Sequence, residues 1–244
     1  MVYHKTKAYS SLIMVRTFKL IHHANPAKLE QVHALFKPYR KASQQIANHQ
    51  WLLFFKYGFF EGDEPFIQEL YSPLSYRYKQ TIQRDVLSKL ASFTSKKEND
   101  FRTIVTRSTL ADDIKHILYT INKYKAWFSP TFTFKKEPVS PEILRLARCI
   151  FRQLLKKNRK PSFRHANLNL NSNVAKIHEK DNTKAKSFDY WVNVSTLTYG
   201  HPVLIPIETH IFYDKSRGDR KNFIQINEDR ETKELTFCFM KEHE

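Results

Sequence analysis

Arg145, Arg148, Arg152, Lys156 and Arg159 recur at intervals of three or four, the spacing that places side chains along one side of a helix. Leu144, Ala147, Phe151 and Leu155 fall on another side, so the segment reads as an amphipathic helix with a cationic outer stripe. Lys157, Lys160, Arg164 and Lys176 extend the run, and no Asp or Glu occurs between Glu142 and Glu179. Solvated helix faces normally intersperse acids that support the bases at i,i+4. A long acid-free row instead suits contact with successive phosphates of a nucleic acid.

Other chemistries find less support. Phe163, Tyr190 and Trp191 accompany the basic run, and exposed aromatic rings there would stack on unpaired bases. Tyr190 shares its phase with Phe188 and Val192 and reads as core; Trp191 is out of phase and stays a candidate. Asn167, Asn169, Asn171 and Asn173 alternate with Leu168, Leu170 and Val174, giving a polar strand edge, either solvated or hydrogen-bonding a ligand. The 11 histidines show no HExxH or other close metal spacing, and Asp189, Asp214 and Asp219 make no specific case for a two-metal nuclease. Four glycines leave no Gly-rich phosphate loop, and there is no GxSxG elbow. We therefore expect no catalytic residue, metal site or cofactor in this chain.

The whole composition agrees with a polyanion partner. Across 244 residues, 41 Lys and Arg face 24 acids, a net charge of +17. Nineteen Phe and 12 Tyr within a 41% hydrophobic fraction distinguish the chain from a disordered basic tail. No apolar run approaches the roughly 20 residues of a membrane span, so no membrane partner is expected. Cys149 and Cys238 lie far apart and in no zinc-knuckle spacing, which fits a reducing cytoplasmic or nuclear setting; the expected location is cytoplasmic, nucleoid-associated if prokaryotic.

The elements that must hold the basic row follow from periodicity. Residues 14–21 read as a strand, and Asn25-Pro26 ends it and opens a helix that Pro38 is expected to kink or split. Further helices are expected near 75–93 and 111–127. A fourth is capped by Ser140, with Pro141 at its first position and Glu142 in its first turn. Beyond Pro161 the period becomes two, through 168–170, 188–194 and 203–207, and then a hairpin of 223–227 and 235–240. The expected fold class is α+β: a small, partly open antiparallel β-barrel of one early and several late strands, with a helical insertion. The expected domains are a disordered leader at 1–13, a barrel from 14–24 with 160–244, and a helical lobe over 25–159.

The early TFKLI strand, the helix PAKLEQVHALF continued by YRKASQQIANHQW, and the later KKNRKPSFR together resemble the amino-terminal half of TnpB-type proteins. These are the transposon-encoded OrfB "transposases", RNA-guided DNA nucleases related to type V CRISPR effectors. Asn48 and Trp51 match the Asn and aromatics near the end of that family's first helix, and Lys160, Pro161, Phe163 and Arg164 match its KPxFK-like segment. The resemblance implies a recognition lobe inserted in a wedge-like barrel. It also implies that the RuvC-like catalytic half, with its metal-binding carboxylates and zinc ribbon, would begin beyond residues 237–244. The expected function is then binding of a structured guide-like RNA, and of target DNA, through Arg145, Arg148, Arg152, Lys156, Lys157, Arg159, Lys160, Arg164, Lys176 and Trp191. Cleavage would need a separate RuvC-containing chain. The alternatives are one subunit of a split RNA-guided nuclease, a nuclease-free DNA-binding repressor, or an inactive transposon remnant.

Overall fold

The computed structural model describes residues 14–157, 159–179 and 188–243; the expected leader at 1–13 lies outside them. The described residues up to Lys37 and from Asn167 onward form one compact unit, and Pro38–Ala166 form a second.

The second unit is helical. Helix α1, Pro26–Tyr57, begins where the Asn25 side chain accepts a hydrogen bond from the Lys28 amide at 3.0 Å. Pro38 lies inside it and does not split it, which removes the second of the two expected outcomes, a kink or a split. The ring removes one backbone donor, while the fully buried Leu35 and Tyr39 on either side hold the flanking turns against apolar neighbours. The sequence reading had no counterpart for α2, Glu64–Glu69, a six-residue helix capped by Asp63, whose carboxylate accepts from the Phe66 amide at 2.9 Å. Helix α3, Tyr76–Arg107, starts at the expected Ser75 cap. It continues well past residue 93 because Lys97, Phe101 and Val105 prolong its buried face. Helix α4 spans Asp112–Lys123, and a short hairpin of β2, Thr133–Phe134, and β3, Glu137–Pro138, leads to α5, Pro141–Lys157. Helix α3 packs against α2, α4 and α5.

The other unit contains β1, Met14–His22, and then β4, Leu168–Asn171, β5, Ala175–Glu179, β6, Tyr190–Val194, and β7, Val203–Glu208. The short α6, Ile211–Asp214, precedes β8, Asp219–Glu228, and β9, Leu235–His243. One seven-stranded sheet has the order β4-β8-β9-β1-β7-β6-β5, with every pair antiparallel. The end strands β4 and β5 approach each other, so the sheet curls into a nearly closed barrel. The early strand is its middle member: Phe18 pairs with Phe239 of β9, and Ile21 with Glu208 of β7. The fold class expected from the sequence, a barrel of early and late strands interrupted by helices, is the one observed.

Alternation explains the barrel's core. Val192, Val194, Ile205 and Ile207 point inward with Leu168, Leu170, Ile224, Ile226, Phe237 and Phe239, all fully buried. The β8–β9 turn lacks Asn-Gly; instead the Asp229 carboxylate accepts from the Glu231 and Thr232 amides at 2.8 and 2.9 Å, and Lys233 takes a positive φ of 63°. Those two amides hold the Asp229 carboxyl below its usual range. The polar row from Asn167 to Asn173 is not a uniform solvent edge, since Asn169 is buried between Leu168 and Leu170. Among the described residues no helix is long and apolar enough to cross a membrane.

Candidate nucleic-acid interface

The start of α5 is fixed by its own sequence. The Ser140 hydroxyl accepts from the Ile143 amide at 3.4 Å, and the Ser140 carbonyl accepts from Leu144 at 3.2 Å. Glu142 bonds its own backbone amide and the Ser140 hydroxyl, with a smaller contribution from the Arg145 charge, and these hold its carboxyl below the usual range. The rotation of the helix is set by its buried face: Leu144, Ala147, Phe151, Leu154 and Leu155. Phe151 is fully buried in an aromatic cluster, flat against Trp127 and edge-on to Phe128 at 6.1 Å. Trp127 donates to the Asn122 side chain at 3.1 Å, and Asn122 donates to the Glu98 carbonyl at 3.1 Å, so the wall behind α5 is braced by hydrogen bonds.

With that face committed, the side of the helix next to it carries the cations. At about 100° per residue, Arg145, Arg148, Arg152 and Lys156 fall within a sector of roughly 80°. Arg145, Arg152, Lys156 and Lys157 are exposed, as are Arg159, Lys160 and Arg164 beyond the helix. Among the described residues, none of these cations forms an ion pair with a carboxylate, whereas Lys89, Lys97, Lys115 and Lys125 of the same unit each do. The unit as a whole holds 24 basic against 11 acidic side chains, a net +13. Such a surface attracts a polyanion and leaves its cations free to meet phosphates.

Two members of the row are less available than their spacing suggested. Arg148 is half-buried and donates from Nη2 to the Ser129 carbonyl at 3.2 Å, bracing the segment before the β2–β3 hairpin. The Lys160 ammonium lies 4.6 Å from the Trp51 ring centre and 4.7 Å from that of Phe55. Partial burial there holds its pKa below the ordinary lysine value. Arg152 is placed over Phe128 at 5.9 Å but remains exposed.

The aromatic candidates divide differently. Phe163 is 1% exposed, and its amide donates to Gln44 Oε1 at 3.2 Å, so it anchors the segment and cannot stack on a base. Lys176 and Trp191 belong to the barrel. Their registers, Lys176 opposite Asn193 and His178 opposite Trp191, put them on the same outer face of the β5–β6 pair. Trp191 is half-buried and meets Phe188 edge-on at 5.6 Å. Tyr190 faces inward as its phase indicates, edge-on to Phe239 at 5.5 Å.

Asp189 accepts from the Thr209 amide and hydroxyl at 2.9 and 3.0 Å and so serves the barrel's own structure. Among the described residues no group of three or more His, Cys, Asp or Glu could hold a metal ion. An open cleft of about 490 Å³ between α1 and α2 is lined by Asn48, named above only for the resemblance, and by His49, Phe66 and Tyr71, which the sequence reading did not single out. They come from separate elements; the only local sign is the polar row Gln45 and Asn48 on α1. No protein-family model matches the chain, and no curated protein matches it.

Proposed function

We propose that the chain binds RNA, a structured RNA or an RNA–DNA heteroduplex, mainly through phosphate contacts from the outer face of α5 and the segment after it. The observation that carries this reading is the exposed row Arg145, Arg152, Lys156 and Lys157, which has no carboxylate partner among the described residues and sits in a unit of net charge +13. Recognition of this kind follows shape and charge, with sequence supplied by base pairing. The resemblance to the recognition half of TnpB-type proteins supports a guide-like RNA as the ligand, with cutting left to a separate RuvC-containing chain. The free state of Cys149 and Cys238 suits a cytoplasmic setting.

The test is the triple variant Arg145→Glu, Arg152→Glu, Lys156→Glu, compared with wild type for RNA affinity across a salt series. The expected result is weaker binding and a log-affinity against log-salt slope shallower by about two units, since each phosphate contact contributes roughly 0.7 to 0.9. An unchanged affinity and slope would overturn the assignment of this face. Sequencing the nucleic acid that co-purifies with the protein identifies the ligand; one discrete RNA is the expected result.

A further inference from the structure

We propose that the cleft between α1 and α2 receives a single unpaired nucleobase of the bound strand. This rests on the nucleic-acid reading above and names a second contact, chemically unlike the first. Gln45, Asn48 and Leu52 lie along one exposed face of α1, at helical spacing, and form one wall of the cleft. The opposite wall is Phe66 and Glu69 of α2 with Tyr71 just beyond it.

The cleft is built rigidly at its base. The His49 ring lies flat on Phe66, with centroids 3.9 Å apart and planes within 2°. Its Nε2 is 2.7 Å from Asp63 Oδ2, while the other Asp63 oxygen caps α2. The Asp63 amide in turn donates to the buried Gln83 at 2.9 Å. At the mouth, Tyr71 is 90% exposed and Leu52 71% exposed, large apolar groups that the fold leaves uncovered.

The side-chain chemistry selects the occupant. Aromatic faces beside free amide and carboxylate groups are what read an unpaired base: rings stack on it, Asn and Gln pair with its edge, and Glu accepts from an exocyclic amine. Asn48 Oδ1 accepts from Gln44 at 2.9 Å, which orients the amide and leaves its two N–H donors for a ligand. None of the lining side chains is Lys or Arg, so the cleft itself does not take a phosphate. The cations stand just outside: Lys41 precedes Gln45 by one helical turn and Lys56 follows Leu52 by one, both exposed. A strand whose backbone crosses those lysines can turn one base inward between them. At about 490 Å³ the cleft lies in the range of small-molecule sites, roughly 300 to 1,000 Å³.

The experiment uses the full chain and a short single-stranded RNA carrying 4-thiouridine, photocrosslinked and mapped by peptide mass spectrometry. In parallel, affinities are measured for that RNA and for the same sequence as a duplex. The expected result is a crosslink in the peptide that carries Phe66 and Tyr71. Tyr71→Ala should weaken single-strand binding roughly five- to a hundredfold, the range of one base–aromatic stack, while Tyr71→Phe retains it. Duplex affinity and the salt slope should stay at wild-type values, because no phosphate contact is removed. Tyr71 is too exposed for its truncation to unfold the unit. Crosslinks confined to α5 with Tyr71→Ala equal to wild type, or a loss shared equally by the duplex, overturn the cleft assignment and leave the charge reading standing. Failure of the wild-type protein to bind either RNA overturns both.

Discussion

The Trp127 indole lies flat on the Phe151 ring, with centroids 3.9 Å apart and planes 15° from parallel. Phe54, Phe101 and Phe128 complete the surroundings of Phe151. This stack fixes which side of α5 is buried, and hence where Arg145, Arg152 and Lys156 point. Phe151→Ala should destabilise the helical unit by about 3 to 5 kcal/mol, the range for removing a fully buried aromatic ring. Arg152→Gln, at the exposed neighbouring position, should stay within about 0.5 kcal/mol of wild type. Denaturant unfolding followed by tryptophan fluorescence separates the two.

Lys160 should behave differently from its neighbours in the basic row. Its ammonium is engaged by Trp51 and Phe55, so Lys160→Met is expected to lower stability by about 0.5 to 2 kcal/mol. RNA affinity should change less than it does for Arg145→Gln or Lys156→Gln. A Lys160→Met protein with wild-type stability and severely weakened RNA binding would reverse this assignment.

Two glycines of the barrel unit share a positive φ yet should respond unequally to substitution. Gly200, φ 78°, has open space around the position of a Cβ, so Gly200→Ala should cost about 1 to 2 kcal/mol of backbone strain alone. At Gly218, φ 102°, an added Cβ would collide with the Glu242 carbonyl on β9. Gly218→Ala must therefore displace backbone as well, and thermal unfolding should show a distinctly larger loss.

His22 gives the barrel an acid-sensitive point. Burial is the main reason its pKa lies below the ordinary 6.5, with a smaller effect from neighbouring His23, and a backbone contact to Leu235 opposes both. The ring meets Phe237 edge-on at 5.2 Å, and its Nδ1 is buried without a partner. The unfolded chain therefore takes up a proton at a higher pH than the folded one. Its contribution is fully present above the unfolded value and is lost as pH falls below about 6.5 toward the folded pKa. Melting temperatures measured between about pH 5 and pH 8 should fall on the acid side, and His22→Leu should flatten that slope.

Much of this was legible where local chemistry decides the outcome. Ser140, Pro141 and Glu142 announce α5 because a cap is a matter of a few adjacent residues, and Val192, Val194, Ile205 and Ile207 announce inner strand faces by their phase. Pro38 does not end α1 because one lost backbone bond is outweighed by the packing of Leu35 and Tyr39 in the same helix. Helix α2 is too short to show a period, and its stability comes from Asp63 and from Ile67 buried beneath it. The burial of Phe163 and the ring contacts of Lys160 were not legible, because their partners Gln44, Trp51 and Phe55 lie more than a hundred positions earlier. The cleft walls were hidden for the same reason: Asn48 and Tyr71 meet only once α1 and α2 are side by side.

The central place of β1 has a consequence for the order in which the protein can assemble. The first of the described strands to be made finds its longest partner, β9, only when the last described residues have followed it. Until then only Ile21 and His22 at its end can pair, with β7, and the edge that meets β9 stays open, while Pro38–Ala166 already holds all of its own helices apart from the first turns of α1. Closing a contact across nearly the whole chain is slow compared with helix packing. Synthesis should therefore yield an ordered helical unit tethered to an open-edged strand, a stage at which a nascent-chain chaperone, or the nucleic acid itself, has its opportunity to engage.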